Sequence, residues 1–222
     1  MLVGSKEFCL TFRNKVFVMF DINVPGVILA GGQSRRMNRK DKSFLEISER
    51  TLLDMTIERL GSQSDKMAIN TNSYSSKYKR YGLPILRDHL EGYLGPLAGV
   101  LTSMKWAKDI GYEKVITVAV DTPLFPLNLV NELYQKMEVS DSDIVFAASS
   151  TDRKQGKILH PVFGLWKTYL CDDLRKQLEQ GIRKVTLWSA KHKTSSVCFS
   201  NDLVDPFFNL SLIHISEPTR PI

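Results

Sequence analysis

Continuous apolar runs alternate with stretches of helical spacing along the middle of the chain. "VPGVILA", residues 24–30, is apolar without a break, the mark of a strand covered on both faces, and Gly31 and Gly32 end it. In "TLLDMTIERLG", residues 51–61, Leu52, Leu53, Ile57 and Leu60 recur at helical spacing and Gly61 stands where a helix would stop. "KMAINTN" predicts a short strand with a polar tip; a small helix near 74–80 separates it from a third strand, "LPILRD". Pro96 in "GPLAGVLTSMKWA" suits the first turn of a helix carrying Leu97, Val100, Leu101 and Met104 on one face. "KVITVAVD" is a fourth strand ending at Asp121, and "DIVFAAS", "HPVFGLW" and "TSSVCFS" continue the sheet around a helix-like stretch at 167–180.

Strand and helix in alternation predict an α/β fold of three layers, a mostly parallel twisted sheet with helices on both faces. Ligands of such sheets gather at the carboxyl ends of the strands, so Leu29 to Gly32, Asn70, Asp88 and Asp121 are expected on one rim. No internal repeat and no low-complexity linker interrupts the pattern, which points to one domain.

The 222 residues, 43% hydrophobic and 24% charged, suffice to bury a core. A net charge of +6 favours an anionic partner without choosing among nucleotide, nucleic acid and acidic lipid, and ordinary surface lysines are the bland alternative. Nucleic acid ranks last, because the cations cluster around one loop and no aromatic-basic platform is visible. Cys9, Cys171 and Cys198 are odd in number and far apart, with no metal-ligand spacing, which fits a reducing, cytoplasmic setting. No segment reaches the ~18 consecutive apolar residues of a membrane span, and Lys6, Glu7, Arg13 and Lys15 interrupt the N-terminus, so no secretory signal is expected.

Both ends look foreign to this body. Met19 is a second possible start just before the first strong strand, so residues 1–18 are expected to be a non-native extension. At the other end "LSLIHISEPTRP", residues 210–221, resembles a translated sequencing-library adapter, so native sequence is expected to stop at Asn209 and 210–222 to be an artefactual tail, the alternative being a genuine short strand and turn. The domain is therefore set at residues 19–209, which remain basic without the ends.

The glycine loop carries the chemistry. Backbone N–H groups of residues without bulky side chains approach phosphate oxygens closely, and nearby cations neutralise them. A Walker A loop is demoted, because Lys42 and Ser43 follow Asp41 where a glycine is required; a dinucleotide fingerprint is demoted, because no third glycine follows Gly31 and Gly32. Two adjacent glycines alone fit a plain tight turn equally well.

The longer stretch "LAGGQSRRMNRKDKSFLEI" resembles the LAGG-x-S-x-RMG-x-x-K signature of nucleotidyltransferases that activate sugars and cofactors. "AINTN", "ILRD", "GPLAG", "VDTPLFP", "HPVFGLW" and "DPFFN" resemble, in order and spacing across residues 24–209, the molybdenum cofactor guanylyltransferases of the MobA family. The resemblance implies a Rossmann-like nucleotidyltransferase fold and transfer of GMP from GTP to molybdenum-bound molybdopterin with release of pyrophosphate. It further implies that Leu29, Ala30, Gly31 and Gly32 cradle the nucleotide, that Lys42 and Arg36 meet its phosphates, and that Asn70, Asp88 and Gly95 line the guanosine side. Asp121 would bind Mg²⁺. On the acceptor side the family pattern points to His160, Arg183, Lys184 and Asn209, and it implies molybdenum insertase, molybdoenzyme chaperones and apo-enzymes as partners.

These residue types suit the reaction. An α-phosphoryl group passes between two oxygens, so the task is to hold an anionic chain in line and neutralise charge building on pyrophosphate. Mg²⁺ needs only one or two protein carboxylates beside phosphate oxygens and water. The nucleophile is the acceptor's own phosphate, so no serine, cysteine or histidine nucleophile is required.

Each position also has a plainer reading. Asp121 suits the start of a turn, Asp88 an ordinary strand end, and His160 a turn before Pro161; Arg183 and Lys184 suit a solvated helix start, and Trp106, Trp166 and Trp188 suit packing. Related activities stay open: a cytidylyltransferase for the same cofactor, another small-molecule nucleotidyltransferase, or a nucleotide-binding module without catalysis. The chain departs from the family pattern at Asn38, where glycine is usual, at Val120, where cysteine is frequent, and at Ser211, where a second asparagine and a closing helix are expected.

Overall fold

The computed structural model describes residues 7–12, 15–20, 22–31, 41–88, 95–150, 156–199 and 205–210. Strands β1 (Glu7–Phe12) and β2 (Lys15–Phe20) pair as an antiparallel hairpin, a sheet of their own, and β2 runs across the expected boundary at residue 19. The body then runs β3 (Gly26–Leu29), a small antiparallel pair β4 (Glu46–Ile47) and β5 (Arg50–Thr51), α1 (Leu52–Gly61), β6 (Met67–Asn70), β7 (Ile85–Leu86), α2 (Pro96–Asp109), β8 (Lys114–Ala119) and α3 (Leu129–Ser140). It finishes with β9 (Ile144–Ser149), β10 (Ile158–Lys167), α4 (Cys171–Glu179), α5 (Val185–Ser189) and β11 (Thr194–Phe199). Short 3₁₀ turns occupy Lys42–Phe44, Ser76–Tyr81 and Thr168–Leu170.

Among the described residues the main sheet has seven strands in the order β11-β9-β10-β8-β3-β6-β7. All its pairings are parallel except those of β10, which runs antiparallel to both β8 and β9. The link from β9 to β10 is too short for the dozen or more residues of a parallel crossover, so the chain turns straight back. His160, near the start of β10, therefore lies at the same rim as Ser149, the end of β9.

Alternation along each strand divides the core in two. Ile28, Val118, Val145 and Leu165 face α1 and α3 with Leu52, Leu53, Leu129 and Leu133. Val27, Val115, Phe146 and Trp166 face the other way, against Leu97, Leu101, Leu174 and Trp188 of α2, α4 and α5. Trp166 and Trp188 are fully buried and stacked on each other, so they pack as expected. A capping box starts α1: Thr51 Oγ1 accepts from the Asp54 N–H at 3.0 Å and Asp54 Oδ2 accepts from the Thr51 N–H at 2.9 Å. Pro96 opens α2 at its first position, as the sequence predicts. The helix expected near 74–80 is the 3₁₀ turn Ser76–Tyr81, and the third strand shrinks to two residues because Pro84 and Asp88 bracket it. Among the described residues no helix is long and apolar enough to cross a membrane.

Candidate active site

The carboxyl ends of β3, β6, β7 and β8 share one rim, and Leu29, Ala30, Gly31, Asn70, Asp88 and Asp121 sit there. Leu29 ends β3, with Ala30 and exposed Gly31 beyond it. The Ala30 N–H donates to the Asn70 carbonyl at 2.8 Å and the Val120 N–H donates to the Leu29 carbonyl at 3.2 Å. Ala30 thus shapes the rim while its own amide is spent within the sheet. Gly32 and Arg36, both expected at the phosphates, lie outside the described residues.

Lys42 opens the 3₁₀ turn Lys42–Phe44, which Asp41 caps by accepting from the Ser43 N–H at 3.1 Å. The lysine ammonium reaches across to the turn after β8, where Asp121 Oδ2 lies 3.9 Å away; both side chains keep partial access to solvent. The amide of Asn209 donates to the same Asp121 Oδ2 at 2.7 Å, and the Leu210 N–H donates to the Asp121 carbonyl at 3.0 Å. The Asp121 carboxylate is therefore engaged by side chains from two distant segments. Asn209, expected on the acceptor side, stands at this carboxylate.

The second half of the rim is a hydrogen-bond network built on Asp88. Its Oδ1 accepts from the Asn70 amide at 2.9 Å and from the Thr102 hydroxyl at 3.3 Å, and its Oδ2 accepts from the Asn72 amide at 2.8 Å. The Asp88 N–H returns a bond to Asn72 Oδ1 at 3.0 Å, which is more than an ordinary strand-end acid makes. Asn70, almost fully buried, also donates to the Leu86 carbonyl at 3.3 Å. With its amide nitrogen doubly used, its oxygen faces α2 and the glycine loop: a Cβ placed at Gly99 would lie 2.6 Å from Asn70 Oδ1, and one at Gly31 would lie 3.9 Å away.

Gly95 caps α2 at φ 72°, a left-handed conformation that suits glycine, and a Cβ there would come 3.8 Å from the Arg183 carbonyl. The loop before α5 hence borders the start of α2. Arg183 and Lys184 are exposed, and the Arg183 guanidinium donates to the Leu178 and Ile182 carbonyls. Further along the rim His160 Nε2 lies 2.8 Å from Ser149 Oγ, which donates to Asp205 Oδ2 at 3.2 Å, and the imidazole stacks on Phe207 at 4.3 Å. Burial holds the imidazole below its ordinary value, with the Asp205 charge pulling the other way.

Gly99, Asn72 and Thr102 belong to this site and are absent from the sequence expectations. The signal for two of them was available: Gly99 closes "GPLAG" and Asn72 closes "AINTN". Among the described residues no group of three or more His, Cys, Asp or Glu side chains forms a metal cage. Asp121 is a single hard-oxygen donor, which suits an ion such as Mg²⁺ that keeps waters and takes other ligands from phosphate. A cavity of about 570 Å³ lined by Leu124, Pro126, Phe199, Phe208 and Leu210 contains neither Lys42, Asn70 nor Asp121.

Comparison with known proteins identifies the family. Residues 26–194 match the MobA-like NTP transferase domain. A molybdenum cofactor guanylyltransferase of Bradyrhizobium sp. (strain ORS 278) is 39% identical over 189 residues, covering 84% of this chain and 86% of the relative. Another, from Shewanella sp. (strain ANA-3), is 34% identical over 190 residues, covering 86% and 91%. A crystal structure of molybdopterin-guanine dinucleotide biosynthesis protein A from Archaeoglobus fulgidus superimposes with a TM-score of 0.61 at 18% identity, covering 79% of this chain and 83% of that one, a likeness of fold.

Proposed function

The chain belongs to the MobA-like NTP transferase family, and from that premise we propose that it is a guanylyltransferase that moves GMP from GTP onto molybdenum-bound molybdopterin. The observation that carries this reading is the convergence of Lys42 and Asp121, beside the Asn70–Asp88 network, on a single rim of the sheet. One half offers a cation and a hard carboxylate for a triphosphate; the other offers a buried, oriented amide for a nucleoside.

In this reading the terminal phosphate oxygen of molybdopterin attacks the α-phosphorus of GTP. A phosphorus–oxygen bond forms there as the bond to pyrophosphate breaks, and the electron pair leaves with pyrophosphate. Lys42 neutralises the phosphate chain, with Arg36 as a second cation by family pattern, and Leu29, Ala30, Gly31 and Gly32 bring backbone close to it. Asn70, held by Asp88 and the Leu86 carbonyl, meets the guanosine, while Gly95 leaves room at the start of α2. Asp121 would hold Mg²⁺, which when bound supplies positive charge to the phosphate oxygens. Asn209 keeps the Asp121 carboxylate in one orientation. His160, Arg183 and Lys184 are assigned to the molybdopterin side. On the same reading the product passes to apo-molybdoenzymes, with molybdenum insertase and molybdoenzyme chaperones as partners of that hand-over.

The test follows the label. With GTP labelled at its α-phosphate, Mg²⁺ and molybdenum-loaded molybdopterin, the protein should transfer label to a dinucleotide separable from GTP by chromatography. Label remaining in GTP and GMP alone would overturn the reading.

A further inference from the structure

The phenol of Tyr78 plays no part in the reaction as derived, yet it is the point at which the two halves of the site meet. Its side chain is 1% exposed. The hydroxyl donates to Asp41 Oδ2 at 2.8 Å and lies 2.8 Å from the Ser43 hydroxyl, so it holds the residues on either side of Lys42. Its ring meets Phe44 edge-on at 4.8 Å, securing the end of the same 3₁₀ turn. Thr71, next after Asn70, lies close enough to the same phenol to act on it electrostatically, and its N–H donates to the Leu86 carbonyl at 2.9 Å.

A lysine has a long flexible stem, so the placement of its ammonium begins with how rigidly its own backbone is held. Here that backbone belongs to a single short turn, and both flanking side chains converge on one buried oxygen. We propose that Tyr78 is a positioning residue that fixes Lys42 toward the nucleotide phosphates and couples its placement to the β6 end that carries Asn70. The inference rests on the proposed contact between Lys42 and phosphate. Burial drives the phenol well above its ordinary range, with the neighbouring Asp41 carboxylate adding to the effect, so the proton stays in place and the group acts only as a hydrogen-bonding node.

A double-mutant cycle on the full chain separates positioning from general stability. Tyr78→Phe keeps the ring against Phe44 and deletes the hydroxyl. Paired with Lys42→Ala, it is read by kcat and KM for GTP, by GTP Kd and by thermal melting. Tyr78→Phe should lower kcat/KM about tenfold or more, mostly in kcat, and should cost less than about twofold once Lys42 is gone. Equal cost in both backgrounds, or full activity in Tyr78→Phe, overturns the proposal. An unaltered Lys42→Ala enzyme removes the premise and the inference with it. If the wild-type chain turns over no nucleotide, the activity reading fails separately and the cycle is scored on GTP Kd: non-additive losses uphold the coupling, and additive losses refute it. Should Tyr78→Phe lose its cooperative melt, Ser43→Ala carries the same cycle, since it deletes one tie and leaves the phenol–Asp41 bond.

Discussion

Gly99→Ala sets two physical effects against each other. Gly99 lies within α2, where replacing glycine by alanine on an open helix face stabilises by about 1 kcal/mol. At this position the new Cβ would sit 2.6 Å from Asn70 Oδ1 and 3.1 Å from Leu29 Cδ2, against an ordinary contact of 3.4–4 Å. Neither neighbour yields freely, because Asn70 is held by Asp88 and the Leu86 carbonyl and Leu29 ends a central strand. Expelling Asn70 loses one bond to a carboxylate and one to a carbonyl, together roughly 2–4 kcal/mol. The balance is a net loss of about 1–3 kcal/mol, or roughly 2–4 °C in Tm per kcal/mol for a domain of this size. GTP affinity should fall about tenfold or more, the worth of one well-placed polar contact. Thermal melting and GTP titration calorimetry read both quantities. A rise in Tm with GTP affinity intact would refute the reasoning, since helix propensity would then act alone.

Other perturbations probe separate parts of the account. Thr51→Ala removes the hydroxyl half of the α1 capping box and should cost about 1 kcal/mol in urea unfolding, with nucleotide affinity unchanged. Asn209→Ala frees the Asp121 carboxylate from its amide donor and should raise the Mg²⁺ concentration needed for half-maximal pyrophosphate release severalfold, read by a Mg²⁺ titration. His160 is held below its ordinary value of 6.5 by burial, against the pull of Asp205, so the unfolded chain takes up the proton first. The stability this imidazole contributes is present above pH 6.5 and is lost as pH falls through its lower folded value; His160→Gln should flatten that part of a Tm-against-pH curve.

Most of the frame was legible in the sequence, because a strand covered on both faces must be apolar throughout and helices leave a repeating stripe. The rim followed from the parallel rule, and Asn70, Asp88 and Asp121 do emerge together on it. The direction of β10 was less accessible, since an apolar strand reads alike both ways and only the length of its connection betrays the reversal. α3 went unread although Leu129, Val130, Leu133 and Met137 recur at helical spacing. What no pattern carries is side-chain pairing over long separations. Asn209 meets Asp121 and Tyr78 meets Asp41 only because the sheet order places them there, and Gly99 matters only because Asn70 packs beneath it.

The central claim is tested most directly by pyrophosphate release from GTP, CTP, ATP and UTP, each with Mg²⁺ and molybdenum-loaded molybdopterin, for the wild-type chain and for Asp121→Ala. The account predicts release with GTP alone and its loss in the variant. Release with CTP in place of GTP, or release that survives Asp121→Ala, would contradict it.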